Sequence, residues 1–175
     1  MEKYYLSIGE VDAPVVVESY INIGCPDTVN YFEAAYTTFD DFIDEGKVKH
    51  VIKHIDRTNG LLLKGTVVNA HLDYNQPDNM YKILRDLFST QSVWSTSYEM
   101  MLDKLNRQLY LKEEAGSGKR SKIVIEEANS RGIKEIPTVF INGEQLLFDF
   151  DESVEGISAL LRQEIKQVLA TENEA

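Results

Sequence analysis

The spacing of hydrophobic residues changes period several times along this chain. Val15-Val16-Val17 and Ser19-Tyr20-Ile21 form a short β-branched run between Pro14 and Gly24, the pattern of a buried strand. After Pro26, apolar residues fall at Val29, Phe32, Tyr36, Phe39 and Ile43, a helical stripe closed by Gly46. Residues 47–56 return to a strand pattern, with Val51, Ile52 and Ile55 as the apolar members. Strand, helix and strand in that order predict a βαβ unit with parallel strands and a right-handed crossover.

From Asn59-Gly60 to Gly132 the period is helical, and four amphipathic segments are predicted. The first covers residues 61–74, and the second follows Pro77 with Met80, Ile83, Leu84, Leu87 and Phe88 on one face. The third carries Tyr98, Met101, Leu102, Leu105 and Leu109, and the fourth, residues 121–130, ends at Gly132. Each has one apolar face, so together they are expected to pack as a small helical lid or subdomain. Residues 138–142 read as a strand, Asn142-Gly143 as a two-residue hairpin turn and 145–150 as its antiparallel partner. A last helix carries Val154, Ile157, Leu161, Ile165 and Val168 on one side. Setting the helical middle aside leaves β-α-β followed by β-β-α, an α/β sandwich with one mixed sheet. The expected organisation is therefore a domain made of residues 1–58 and 131–175, with 59–130 inserted as helices.

Composition narrows the function. Of 175 residues, 43% are hydrophobic and 10% aromatic, enough to bury a core. Against 29 acidic residues stand 18 scattered basic ones, a formal charge of −11 that argues against a nucleic-acid partner. No run of about 20 apolar residues is present, so no membrane span is expected. Residues 1–8 lack a basic stretch followed by an apolar one, and the expected location is cytoplasmic. The single cysteine, Cys25, excludes an intramolecular disulfide and a Cys-rich metal site.

Cys25 lies between a strand end and a helix start, in Gly24-Cys25-Pro26-Asp27-Thr28. Pro26 suits the first helical position, which puts Cys25 at the N-cap, facing unpaired N–H groups and the positive end of the helix dipole. These favour thiolate over thiol. The Thr28 hydroxyl, three residues on, is placed to donate to the thiolate, whereas the Asp27 carboxylate opposes it. Ile136-Pro137-Thr138 stands at the mouth of the later strand, where a proline commonly marks a start.

The strand followed by Cys25-Pro26, then Gly132-Ile133-x-x-Ile136-Pro137-Thr138-Val139-Phe140-Ile141-Asn142-Gly143, resembles the thioredoxin superfamily. The helical block between the two halves and the opening Gly9-x-x-Asp12-Ala13-Pro14-Val15 make it similar to the DsbA-like branch. The resemblance runs in order over nearly the whole chain and implies a thioredoxin-like fold, a mixed central sheet with flanking helices and a helical insertion. It implies Cys25 as nucleophile, Pro137 as a cis-proline facing it, and Ile136 as backbone partner of an extended protein or peptide substrate under a helical roof. The family's second cysteine falls on Thr28, so a mixed disulfide at Cys25 must be released by an outside thiol such as glutathione, with no other cofactor. The family's acidic residue below the cysteine would be Glu18, one position farther from Cys25 than the pattern asks; strict alternation turns it to the opposite face unless the strand bulges.

The expected function is monothiol thiol–disulfide exchange through Cys25. The resemblance also admits a redox-silent adaptor that keeps the groove at Ile136-Pro137, and a glutathione-using transferase in which Cys25 or Thr28 holds the glutathione thiolate. Other candidates are weaker. His50 and His54 share a strand face and His71 lies on a helix, without acidic residues at metal-ligand spacing. Gly116-Ser117-Gly118-Lys119-Arg120 lacks the first glycine and the hydroxyl of a phosphate loop and reads as a loop between helices. Trp94, Tyr98 and Tyr110 read mainly as core of the helical block, and Asp40-Asp41 and Asp44-Glu45 as the solvated face of the first helix.

Overall fold

The structure, a computed structural model, describes residues 3–174. Met1, Glu2 and Ala175, at the ends of the expected domain bounds, lie outside the described residues. Strands β1 (Leu6–Ile8), β2 (Val15–Ile21), β3 (Val48–His54), β4 (Thr138–Ile141) and β5 (Glu144–Leu146) form one sheet in the order β1-β3-β2-β4-β5. The expected parallel pair is β2 with β3, in unbroken register from Val15↔Val48 to Ile21↔His54. Strand β1 adds antiparallel to β3, β4 antiparallel to β2 and β5 antiparallel to β4, so the sheet is mixed. Asn142 and Gly143, at φ 47° and 84°, make the tight turn between β4 and β5. The Asn142 side chain also accepts from the Val16 N–H at 2.7 Å and donates to the Pro14 carbonyl, fastening the hairpin to the start of β2.

Helix α1 (Thr28–Asp44) follows β2, and α2 (Gly60–Asn69), α3 (Pro77–Ser89), α4 (Gln91–Trp94), α5 (Tyr98–Asp103) and α6 (Ser117–Ser130) follow β3; α7 (Val154–Glu174) ends the chain. Alternation in β2 divides the core. Val15 and Val17 meet Tyr31, Phe39, Ile157 and Leu161 from α1 and α7 on one face. Ile21 joins Phe32, Leu84, Phe88 and Trp94, which carries that core into the insertion. On the other face Tyr20 and Ile55 pack under Val124 and Ala128 of α6.

Several boundaries differ from expectation. β1 was not foreseen, because three residues are too few to display alternation. The segment expected at 145–150 pairs only as far as Leu146, after which Phe148 packs at a tilt against Tyr31. The helix expected at 61–74 ends at Asn69, and the one expected around Tyr98–Leu109 passes from α5 into a π-helical turn, Lys104–Gln108. Residues 117–120, expected as loop, are the first turn of α6, capped by Gly116 at φ 81°. Trp94 is buried, whereas Tyr98 and Tyr110 are exposed.

Candidate active site

Helix α1 begins two residues later than expected. Asp27 stands at its N-cap with a helical backbone and no side-chain cap, so Cys25 is not the capping residue. Cys25 instead sits in a tight turn, its N–H donating to the Asn22 carbonyl at 3.0 Å and its carbonyl accepting from the Thr28 N–H at 3.2 Å. Pro26 cannot donate an N–H, which suits a turn entering a helix. Pro26 and Asp27 are exposed, whereas Cys25 is only 7% exposed.

Across from this turn the loop after α6 brings Ile136, and Cys25 Sγ donates to its carbonyl oxygen at 3.6 Å. The Ile136–Pro137 peptide bond is cis. Pro137 and Thr138 are buried, and the Thr138 hydroxyl donates to the Glu135 carbonyl at 2.7 Å. Residues more than 110 positions apart in the chain thus meet at one thiol.

The expected donation from Thr28 to Cys25 is not made. Thr28 is fully buried, and its hydroxyl has no hydrogen-bond partner among the described residues. The physical reason is that a thiol sulfur is a weak acceptor and exerts little pull on a hydroxyl. Glu18 does not serve the thiol either. With unbroken register β2 has no bulge, so Glu18 turns to the α6 face, where its carboxylate binds Lys53 at 2.7 Å and Arg131 at 2.9 Å. Burial there raises its pKa, but the bonds to Lys53 and Arg131 prevail and hold the carboxyl below its usual range. Ser19, the next residue, faces the opposite side and bonds to Tyr31 and His50.

Four polar side chains that sequence reading did not connect with the site hold the cysteine turn. Asn22 Oδ1 accepts from the Gly24 N–H at 2.8 Å, and its amide donates to the carbonyls of Ile55 and Leu62. His54 Nε2 accepts from the Ile23 N–H at 3.0 Å, which leaves Nδ1 to carry the hydrogen toward Asp56 at 2.8 Å. Asp56 also receives hydrogen bonds from Asn69 and Ser121; with His54 these outweigh burial and keep its carboxyl below the usual range. From the insertion, Gln91 Nε2 donates to the carbonyls of Ile23 at 2.6 Å and Cys25 at 3.1 Å. The Ile23 peptide is therefore held at its N–H by β3 and at its carbonyl by α4. Helix α2 closes against the same turn at backbone distance. A Cβ on Gly65 would lie 1.9 Å from Asn22 Oδ1, and one on Gly24 would lie 2.1 Å from the Leu61 carbonyl oxygen, so both positions require glycine. Leu61, whose carbonyl lies against Gly24, is exposed beside the turn. His50, His54 and His71 are each bonded within the fold, and among the described residues no group of three His, Cys, Asp or Glu is placed to hold a metal ion.

A mixed sheet with a helical insertion, and a turn cysteine facing a cis-proline loop, define a thioredoxin-fold protein. A family model described as Thioredoxin matches residues 2–163, and the chain belongs to that family. It is similar to a conserved protein of unknown function from Enterococcus faecalis, at 31% identity and TM-score 0.80, covering 92% of this chain and 89% of that one. It shares the fold of alpha-DsbA1 from Wolbachia pipientis (14% identity, TM-score 0.65, covering 95% and 94%). It also shares that of a protein-disulfide isomerase from Novosphingobium aromaticivorans (11% identity, TM-score 0.69, covering 96% and 99%). The comparison with curated proteins gives no match.

Proposed function

We propose that this protein catalyses thiol–disulfide exchange through Cys25 as a single-thiol enzyme. The observation that carries the reading is the placement of the sole cysteine in a turn clamped by Asn22, His54 and Gln91, its sulfur 3.6 Å from the Ile136 carbonyl. An unused buried cysteine needs no such framework, and a nucleophile does.

In the proposed cycle the Cys25 thiolate attacks a disulfide R–S–S–R′. An S–S bond forms between Cys25 and R as the bond to R′ breaks, and R′S⁻ leaves. No second cysteine exists in the chain, so a small outside thiolate then attacks the mixed disulfide, takes R and restores the Cys25 thiolate. Glutathione, or another low-molecular-weight thiol of the cytoplasm, fits that role. The edge formed by Ile136, Pro137 and Thr138 would align an extended peptide carrying the disulfide.

The test is incubation with oxidised glutathione followed by intact mass. One glutathione added per chain, lost again on adding reduced glutathione and absent in Cys25→Ser, is the expected result. A chain that stays unmodified while still retaining extended peptides on a column would make it a binding protein of the same fold instead.

A further inference from the structure

The thiol uses only part of the polar equipment around it. Sγ–H donates to the Ile136 carbonyl, while the Thr28 hydroxyl, wholly enclosed, has no partner among the described residues. Leaving a buried hydroxyl unbonded costs about 1–3 kcal/mol, so a form of the site that satisfies it is favoured. Thr28 lies three residues after Cys25 in the turn that opens α1, and its N–H bonds the Cys25 carbonyl. The turn therefore offers one acceptor at the sulfur and one idle, enclosed donor three residues along. An S–O–H group matches that pair, its proton going to the Ile136 carbonyl and its oxygen accepting from Thr28.

We infer that Cys25 is also a peroxide-reactive thiol, and that Thr28 binds the oxygen of the sulfenic acid formed there. The thiolate attacks one peroxide oxygen; the S–O bond forms, the O–O bond breaks, and hydroxide leaves. Sulfur is oxidised by two electrons and the peroxide reduced by two. One further feature favours persistence of the product: the chain holds no second cysteine to condense with it. Return to the thiol rests on the exchange reading: a low-molecular-weight thiol displaces water to give the mixed disulfide of the cycle above, and a second such thiol releases Cys25.

The experiment treats the reduced full chain, Thr28→Val and Thr28→Ser with equimolar hydrogen peroxide, reading intact mass and dimedone trapping against time. Exchange with oxidised glutathione is measured on the same samples. Wild type should gain one oxygen in a form that dimedone traps. In Thr28→Val that form should live about tenfold less long, the equivalent of one hydrogen bond, and Thr28→Ser should restore it. An unmodified wild type, a direct passage to two or three oxygens without a trappable stage, or equal lifetimes in wild type and Thr28→Val would each overturn the inference. Normal exchange with no trappable oxygen would overturn this inference alone, and a trappable oxygen without exchange would overturn the enzyme reading alone.

Discussion

Gln91 carries more of the site than its position suggests. It lies on a four-residue helix of the insertion, yet its amide nitrogen bridges the Ile23 and Cys25 carbonyls in a buried setting. Gln91→Ala would leave the Ile23 oxygen without its donor and the Cys25 oxygen with the Thr28 N–H alone, which should cost about 1–3 kcal/mol in urea unfolding and slow glutathione addition at Cys25. Gln91→Glu should be worse, since a carboxylate has no hydrogen to give and repels both carbonyls; a variant at wild-type stability and rate would show that the clamp does not act. Cys25 and Ile136 could be found in the sequence because each abuts a proline at an element boundary, where backbone constraints leave a local mark. Gln91, His54 and Asn22 leave none. Their roles arise from which backbone atoms the packed chain brings opposite them, and no spacing encodes that. The Thr28 hydroxyl misleads for the opposite reason: adjacency in the chain suggests a bond to the sulfur that the folded turn does not make.

At the scale of elements, α6 is tied to the sheet by charge as well as by Val124 and Ala128. Lys53 of β3 lies between Glu18 of β2 and Glu127 of α6, at 2.7 and 2.5 Å, and Arg131 just past α6 binds Glu18 and the Tyr20 hydroxyl. Tyr5 and Tyr20 donate to Glu127; burial first and then this carboxylate push the Tyr5 hydroxyl up to about 12. Burial works against the Lys53 ammonium, but the two carboxylates raise its pKa overall. The loop that brings Ile136 to the thiol starts at the end of this helix, so the cluster and the site share a support. Lys53→Met should leave two partly buried carboxylates facing each other and destabilise the fold toward the low end of about 3–5 kcal/mol, since solvent still reaches both. Adding Glu127→Gln to that variant should recover part of the loss, which a double-mutant cycle in urea would read; strict additivity would contradict the ion cluster. The strand–helix–strand unit and the hairpin were legible because β-branched runs, a helical stripe and Asn142-Gly143 act locally. The short β1, the late start of α1 and the curtailed β5 were not, because edge pairing and turn geometry decide them after the chain has packed.

Across the whole molecule, one chain of hydrogen bonds joins the sheet to the insertion through the core. Tyr31 of α1 bonds Ser19 of β2 at 2.5 Å, Ser19 bonds His50 Nε2 at 2.7 Å, and His50 Nδ1 meets the Tyr81 hydroxyl of α3 at 3.0 Å, with the Phe39 ring edge-on beside it. Among the described residues, those bonded to or packed edge-on against His50 are Ser19, Tyr81 and Phe39, all uncharged, and burial lowers its pKa to about 3. In the unfolded chain the same ring takes up a proton near pH 6.5, so the unfolded state binds more protons than the folded one below that pH. The stability contributed by the neutral ring is complete above about 6.5 and declines as the pH falls toward about 3. Between pH 7.5 and 5 the loss should be about 2 kcal/mol. Glu18, Glu127 and Asp56 are also held below their usual values and act in the same direction, but only as the pH approaches the ordinary carboxylate range, so a measurement kept above pH 5 isolates the histidine. Urea unfolding of wild type and His50→Gln at several pH values over that range reads the difference directly. The variant starts from a lower stability, because glutamine fits the chain less well, but its curve should be flatter by about that amount. Parallel curves would mean that the ring is not what ties this fold to neutral pH.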